Sequence, residues 1–67
     1  MSYARLRGRI REIYGTQEAF AKDMKKDSTT ISYKLNGKTE WTRQEIEQAC
    51  GLLDISMEQM PLYFFAD

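Results

Sequence analysis

Apolar positions recur along this chain at helical spacing. Leu6, Ile10 and Ile13 lie at i, i+4 and i+7, with Tyr3 one turn earlier and Ser2 placed as an N-cap. Gly15 ends that first helix. Thr16 caps a second, with Glu18 in its first turn and Phe20, Ala21 and Met24 on its apolar face. Lys25 and Lys26 form a short break. Asp27 or Ser28 then caps a third helix that closes at Asn36-Gly37, a pair suited to the left-handed turn after a helix. The clearest start signal is the capping box of Thr42 with Glu45, followed by Ile46, Ala49, Cys50 and Leu53 at i, i+3, i+4 and i+7. Ser56 with Gln59 repeats the box and opens a short fifth helix. Pro61 falls near its fifth position, where a lost backbone bond shortens or distorts it. Only Leu62 to Phe65 hints at a period of two. The pattern predicts an all-α chain of five short helices. It is one domain over 1–67, with 62–67 as an apolar C-terminal tail.

The third helix, over 28–36, is the unusual one. On a helical wheel Ile31 and Leu35 fall about 40° apart and define its buried side. The opposite side shows Thr29 and Tyr33, flanked by Thr30, Ser32 and Asn36, with no Glu, Lys or Arg. A solvated helix face usually carries Lys and Glu, which are better helix formers than Ser and Thr. Short hydroxyl side chains let a helix approach a surface closely. In a DNA major groove they bond to several base edges, and Thr or Tyr also touches the thymine methyl. The competing reading is that Ser28, Thr29 and Thr30 serve only as cap and turn chemistry.

Composition narrows the classes further. The chain has 67 residues, 42% hydrophobic and 30% charged, ordinary values for a globular protein. Its longest apolar stretch, Met60 to Ala66, contains Pro61 and is too short to span a bilayer, and the charged N-terminus lacks a signal-peptide core. One cysteine and no histidine exclude an internal disulfide, a structural zinc site and a Ser-His or Cys-His pair. Thr16, Ser28 and Ser32 have no general base nearby in sequence. The expectation is no enzyme, no cofactor, no metal, no membrane and no small-molecule substrate. Cys50 reads as an inert core residue.

Net charge is zero overall but divides sharply. Residues 1–43 hold all ten bases and five acids, a balance of +5, while residues 44–67 hold five acids and no base, −5. Such asymmetry suits a positive side facing a polyanion, or a folded dimer whose halves neutralise each other. Arg5, Arg7, Arg9 and Arg11 read as solvated, some adding long-range attraction. Trp41 either packs on the core or lies along a sugar-phosphate strand, with packing favoured. Asp27, unwelcome near phosphates, reads as an N-cap.

Two short helices joined by a tight turn, the second presenting the hydroxyl face, describe a helix-turn-helix unit. Gln17 stands at the start of the first of them, where its amide and free N–H groups are placed to hold a phosphate. Asn36, Lys38 and Arg43 follow the third helix and are placed to grip the backbone across the groove. From Met57 to Asp67, Met57, Met60, Leu62, Tyr63, Phe64 and Phe65 exceed what so small a core buries easily. Some complete the core, or they form a dimer interface, expected at Met60, Leu62, Tyr63, Phe64 and Phe65.

The run from Leu6 to Phe65 resembles the small lambda-repressor-like (Cro-type or XRE-type) helix-turn-helix proteins of phages and prophages. The resemblance rests on Leu6-Arg7-Gly8-Arg9-Ile10, Gly15-Thr16-Gln17 with Phe20-Ala21, Ile31-Ser32-Tyr33-Lys34-Leu35-Asn36-Gly37-Lys38, Glu45-Ile46 and Tyr63-Phe64-Phe65. It implies that the third helix reads the major groove of a pseudo-palindromic operator. Ser28, Thr29 and Tyr33 would lie nearest the bases, with Ser32 and Thr30 second. Thr16, Gln17, Asn36, Lys38 and Arg43 match phosphate-binding positions. A weak homodimer would place half-sites about 34 Å apart. The implied role is a repressor in the cytoplasm or nucleoid of a bacterial host. Three departures stand out: Lys25 replaces a frequent turn glycine, Lys26 a usual apolar residue, and Leu35 takes the late apolar position, leaving Lys34 free. The alternative is an anti-repressor or regulator partner that binds another protein through the apolar tail.

Overall fold

The computed structural model describes residues 3–65, and every regular element among them is helical. Helix α1 spans Ala4–Tyr14, α2 Gln17–Asp23, α3 Ser28–Leu35, α4 Arg43–Leu53 and α5 Met60–Phe64. No strand occurs among the described residues, and no helix is long and apolar enough to cross a membrane. Ser2, expected to cap α1, lies outside the described residues, as do Ala66 and Asp67 of the tail.

Local chemistry sets most boundaries. Thr16 caps α2 by accepting from the Ala19 N–H at 3.1 Å, and Asp27, not Ser28, caps α3 by accepting from the Thr30 N–H at 3.0 Å. The box at α4 is complete. The Thr42 N–H donates to Glu45 Oε1 at 2.8 Å, and the Glu45 N–H donates to Thr42 Oγ1 at 3.1 Å. Helices α2 and α3 close in the same way. The N–H of Lys26 bonds to the Ala21 carbonyl and that of Lys25 to Lys22, while the N–H of Lys38 bonds to Tyr33 and that of Gly37 to Lys34. Each is a Schellman closure, which needs one residue in the left-handed region. Gly37 holds that place at φ 76°, and Lys25 holds the equivalent one at φ 60°.

The core forms where α1 packs on α2, α4 and α5, and α2 packs on α3. Leu6, Ile10, Phe20, Ile31, Leu35 and Leu53 are fully buried, each stabilising by about 1.5–3 kcal/mol. Ala21 and Cys50 are buried beside them. Burial pushes the Cys50 thiol above its ordinary value. Tyr14 meets Phe20 edge-on at 5.5 Å, and its hydroxyl donates to Asp23 at 2.8 Å, pinning the end of α1 to the end of α2.

Four expectations shift. Ile13, placed by periodicity on the apolar stripe, is exposed near the end of α1. The fifth helix does not begin at Ser56. That serine accepts from the Gln59 N–H and forms a turn, and α5 starts at Met60. Pro61 thus sits at the second helical position, where no intrahelical donor is required, and it distorts nothing. The stretch Leu62 to Phe65 is helix and helix end, not an alternating strand.

Candidate nucleic-acid interface

Ile31 and Leu35 anchor α3 inward, which turns Thr29 and Tyr33 outward as the wheel requires; Tyr33 is 46% exposed. The outer face borders an open groove of about 790 Å³ between α1, α2 and α3. Ser28, Thr29, Ser32 and Tyr33 form one wall, and Thr16, Gln17 and Glu18 lie on the α2 side. Arg7 and Arg11 of α1 also line it. Four of the five proposed base-reading residues and two of the five phosphate-binding candidates therefore share one surface.

Thr30 takes a different part. It is half-buried, and its hydroxyl donates to Asp27 Oδ1 at 2.6 Å, on the same oxygen that accepts its N–H. These two bonds hold the Asp27 carboxyl below its usual range, the hydroxyl contributing most. The carboxylate thus belongs to the start of α3, as the cap reading has it.

Of the remaining phosphate candidates, Asn36 and Lys38 follow the end of α3, and Arg43 opens α4. Lys38 sets its ammonium 5.3 Å from the centre of the Tyr33 ring, a cation–π approach that joins a candidate phosphate ligand to a candidate base reader. Arg43 is exposed at the first turn of α4 and pairs with Glu47 at 3.5 Å. Asn36 accepts from Arg7 Nη2 at 2.7 Å and donates to Ser32 Oγ at 3.4 Å.

Arginines and a lysine that the sequence suggested were solvated prove structural. Arg7 Nη2 also donates to the Leu35 carbonyl at 2.8 Å, and Arg9 Nε donates to the Leu53 carbonyl at 2.9 Å. Each satisfies a carbonyl that a helix end would leave unpaired. Lys34 is not free. It is buried, with its ammonium 2.9 Å from Glu45 Oε1 and 2.9 Å from the Glu40 carbonyl, while Lys26 reaches Glu45 Oε2 at 3.1 Å. Its aliphatic stem fills the apolar place and its charge is met by a carboxylate from α4. Burial alone would raise the Glu45 carboxyl. The Thr42 N–H, Lys34 and Lys26 together outweigh it and bring the value to about 2. One acid of the negative C-terminal third thereby neutralises bases of the positive part within a single chain.

Trp41 packs: its ring meets Phe64 at 5.3 Å and Tyr3 at 6.4 Å, both edge-on. Phe64 is buried to 2% exposure under that contact and so leaves the expected dimer surface. Met60 and Tyr63 are half-buried against the core, while Met57, Leu62 and Phe65 are exposed. Among the described residues no group of His, Cys, Asp and Glu gathers to hold a metal ion.

These features define a small five-helix domain whose third helix offers an uncharged, hydroxyl-rich face beside a groove with two arginines. The chain belongs to the DUF739 family, described as a protein of unknown function, whose model matches residues 1–67. No curated protein matches it.

Proposed function

We propose that this domain is a sequence-specific regulator that binds double-stranded DNA as lambda-repressor-like, Cro-type helix-turn-helix proteins do. In this reading α2 and α3 are the two helices of the motif, and α3 lies in the major groove. Thr29 and Tyr33, with Ser28 and Ser32, read base edges. Thr16, Gln17, Lys38 and Arg43 hold the backbone. It acts without catalysis, metal or cofactor, by occupying operator DNA in a bacterial host's cytoplasm. The observation that carries the reading is the shared groove: hydroxyls from α3, polar groups from the start of α2 and two arginines from α1 border one surface. Glu18 at its edge works against this by repelling phosphate; Arg7 and Arg11 offset it.

A weak homodimer through Leu62 and Phe65 would present two copies of α3 to a pseudo-palindromic site. Selection from random duplexes at two salt concentrations tests the proposal. The expected result is an enriched, roughly twofold-symmetric sequence whose affinity falls steeply with salt. Retention without enrichment, or without salt dependence, would overturn it.

The exposed apolar group Met57, Leu62 and Phe65 supports a second reading, a module that binds another regulator protein. In that case the chain co-purifies with a protein partner and is not retained on duplex DNA.

A further inference from the structure

Gly8 lies in the interior of α1, and nothing inside the fold calls for a glycine there. Its φ is not in the left-handed region, unlike those of Gly15 and Gly37, and a Cβ added to it would meet nothing within 4 Å. Alanine would fit without a contact and would hold the helix better. Gly8 is exposed and lines the groove. Arg11, three residues on and therefore on the same side of α1, lines it too. Among the described residues the Arg11 side chain has no hydrogen bond or ion pair, whereas the Arg7 guanidinium is tied to the end of α3.

We propose that Gly8 is a clearance for one sugar-phosphate strand of the bound duplex, which passes against α1 at this point and is met by Arg11. This rests on the DNA-binding function above and adds α1 to the elements that hold the backbone. Glycine lets a helix come closer to a neighbouring chain than any other residue does. The free guanidinium beside it pairs with a phosphate oxygen. Gly51 of α4 is likewise helical, exposed and without a neighbour for its Cβ, but it lies off the groove. It serves as the control.

The test titrates a selected and a random duplex at several salt concentrations, with thermal unfolding of each variant alongside. Gly8→Ala raises Tm by about 4–8 °C, because helix propensity improves and no neighbour is crowded. It nevertheless weakens binding to both duplexes alike. Gly8→Leu, still a good helix former, weakens both by about tenfold or more, the cost of crowding a packed contact. It also lowers the salt slope by about one, as the strand is pushed off Arg11. Arg11→Met lowers the slope by the same amount, and adding it to Gly8→Leu removes little further affinity. Gly51→Ala raises Tm and leaves binding unchanged. If Gly8→Ala lowers Tm, the glycine is structural. If Gly8→Leu keeps wild-type affinity and slope, or loses affinity for the selected duplex alone, no backbone strand passes there. Each of these results overturns the clearance while the DNA reading stands. If the wild-type chain is retained on no duplex, the DNA reading falls and takes the clearance with it.

Discussion

Lys34 on α3 and Glu45 on α4 meet with 2.9 Å between Nζ and Oε1, both side chains nearly closed off from water. Removing the carboxylate leaves a buried ammonium with only the Glu40 carbonyl and destroys the capping box as well. Glu45→Ala is expected to destabilise the domain by about 3 kcal/mol, near the low end for breaking a buried pair. Urea unfolding of the two proteins measures it. Lys34→Met combined with Glu45→Gln should recover most of the loss, because the one ammonium then left without its carboxylate is that of Lys26, which is partly exposed to water.

The same pair gives stability a pH dependence. The folded Glu45 carboxyl lies at about 2, below its ordinary 4.5, so the unfolded chain binds the proton first. Its contribution is therefore complete above about pH 5 and is lost as the pH falls toward 2. Denaturation midpoints measured from pH 6 to pH 2 should fall across that window. Glu45→Gln should flatten the fall.

Lys25 occupies a left-handed position that its counterpart Gly37 fills at the end of α3. A side chain with a Cβ is strained there by about 1–2 kcal/mol, partly offset by the greater chain entropy of an unfolded glycine. Lys25→Gly is expected to stabilise by about 0.5–1 kcal/mol, seen as a higher Tm.

Tyr33→Ala and Thr29→Ala should relax base preference, by about 1–3 kcal/mol for a good contact. Arg43→Ala should weaken every sequence alike and reduce the salt slope by about one. Competition of selected against random duplex separates the two kinds of effect. Unchanged discrimination in Tyr33→Ala would remove Tyr33 from the reading face.

Phe64 and Phe65 are neighbours with opposite fates, 2% and 63% exposed. Phe64→Ala should cost about 3–5 kcal/mol of stability, as a buried aromatic does. Phe65→Glu should leave unfolding within about 0.5 kcal/mol. It should also lower any self-association seen by sedimentation.

What the sequence disclosed depends on the range of each interaction. The Thr42–Glu45 box, the Thr16 cap and the Asn36-Gly37 closure join residues three to five apart, so spacing alone predicts them. The outward turn of Thr29 and Tyr33 follows from Ile31 and Leu35 on the same helix. The bonds from Arg7 to α3, from Arg9 to α4 and from Lys34 to α4 depend on how helices dock, and no local pattern marks them. Reading those side chains as solvated was the consequence. The α5 boundary failed for another reason. Ser56 and Gln59 make the expected contact in a turn, and the proline sets where the helix itself begins.

The arginines of α1 have a consequence for how the molecule comes into being. Arg7 ties a carbonyl 28 residues ahead, and Arg9 one that follows 44 residues later. The first helix is thus completed by carbonyls at the ends of the third and the fourth. Until α4 is in place, α1 holds only α2 and the end of α3, and Arg9 has no Leu53 carbonyl to close.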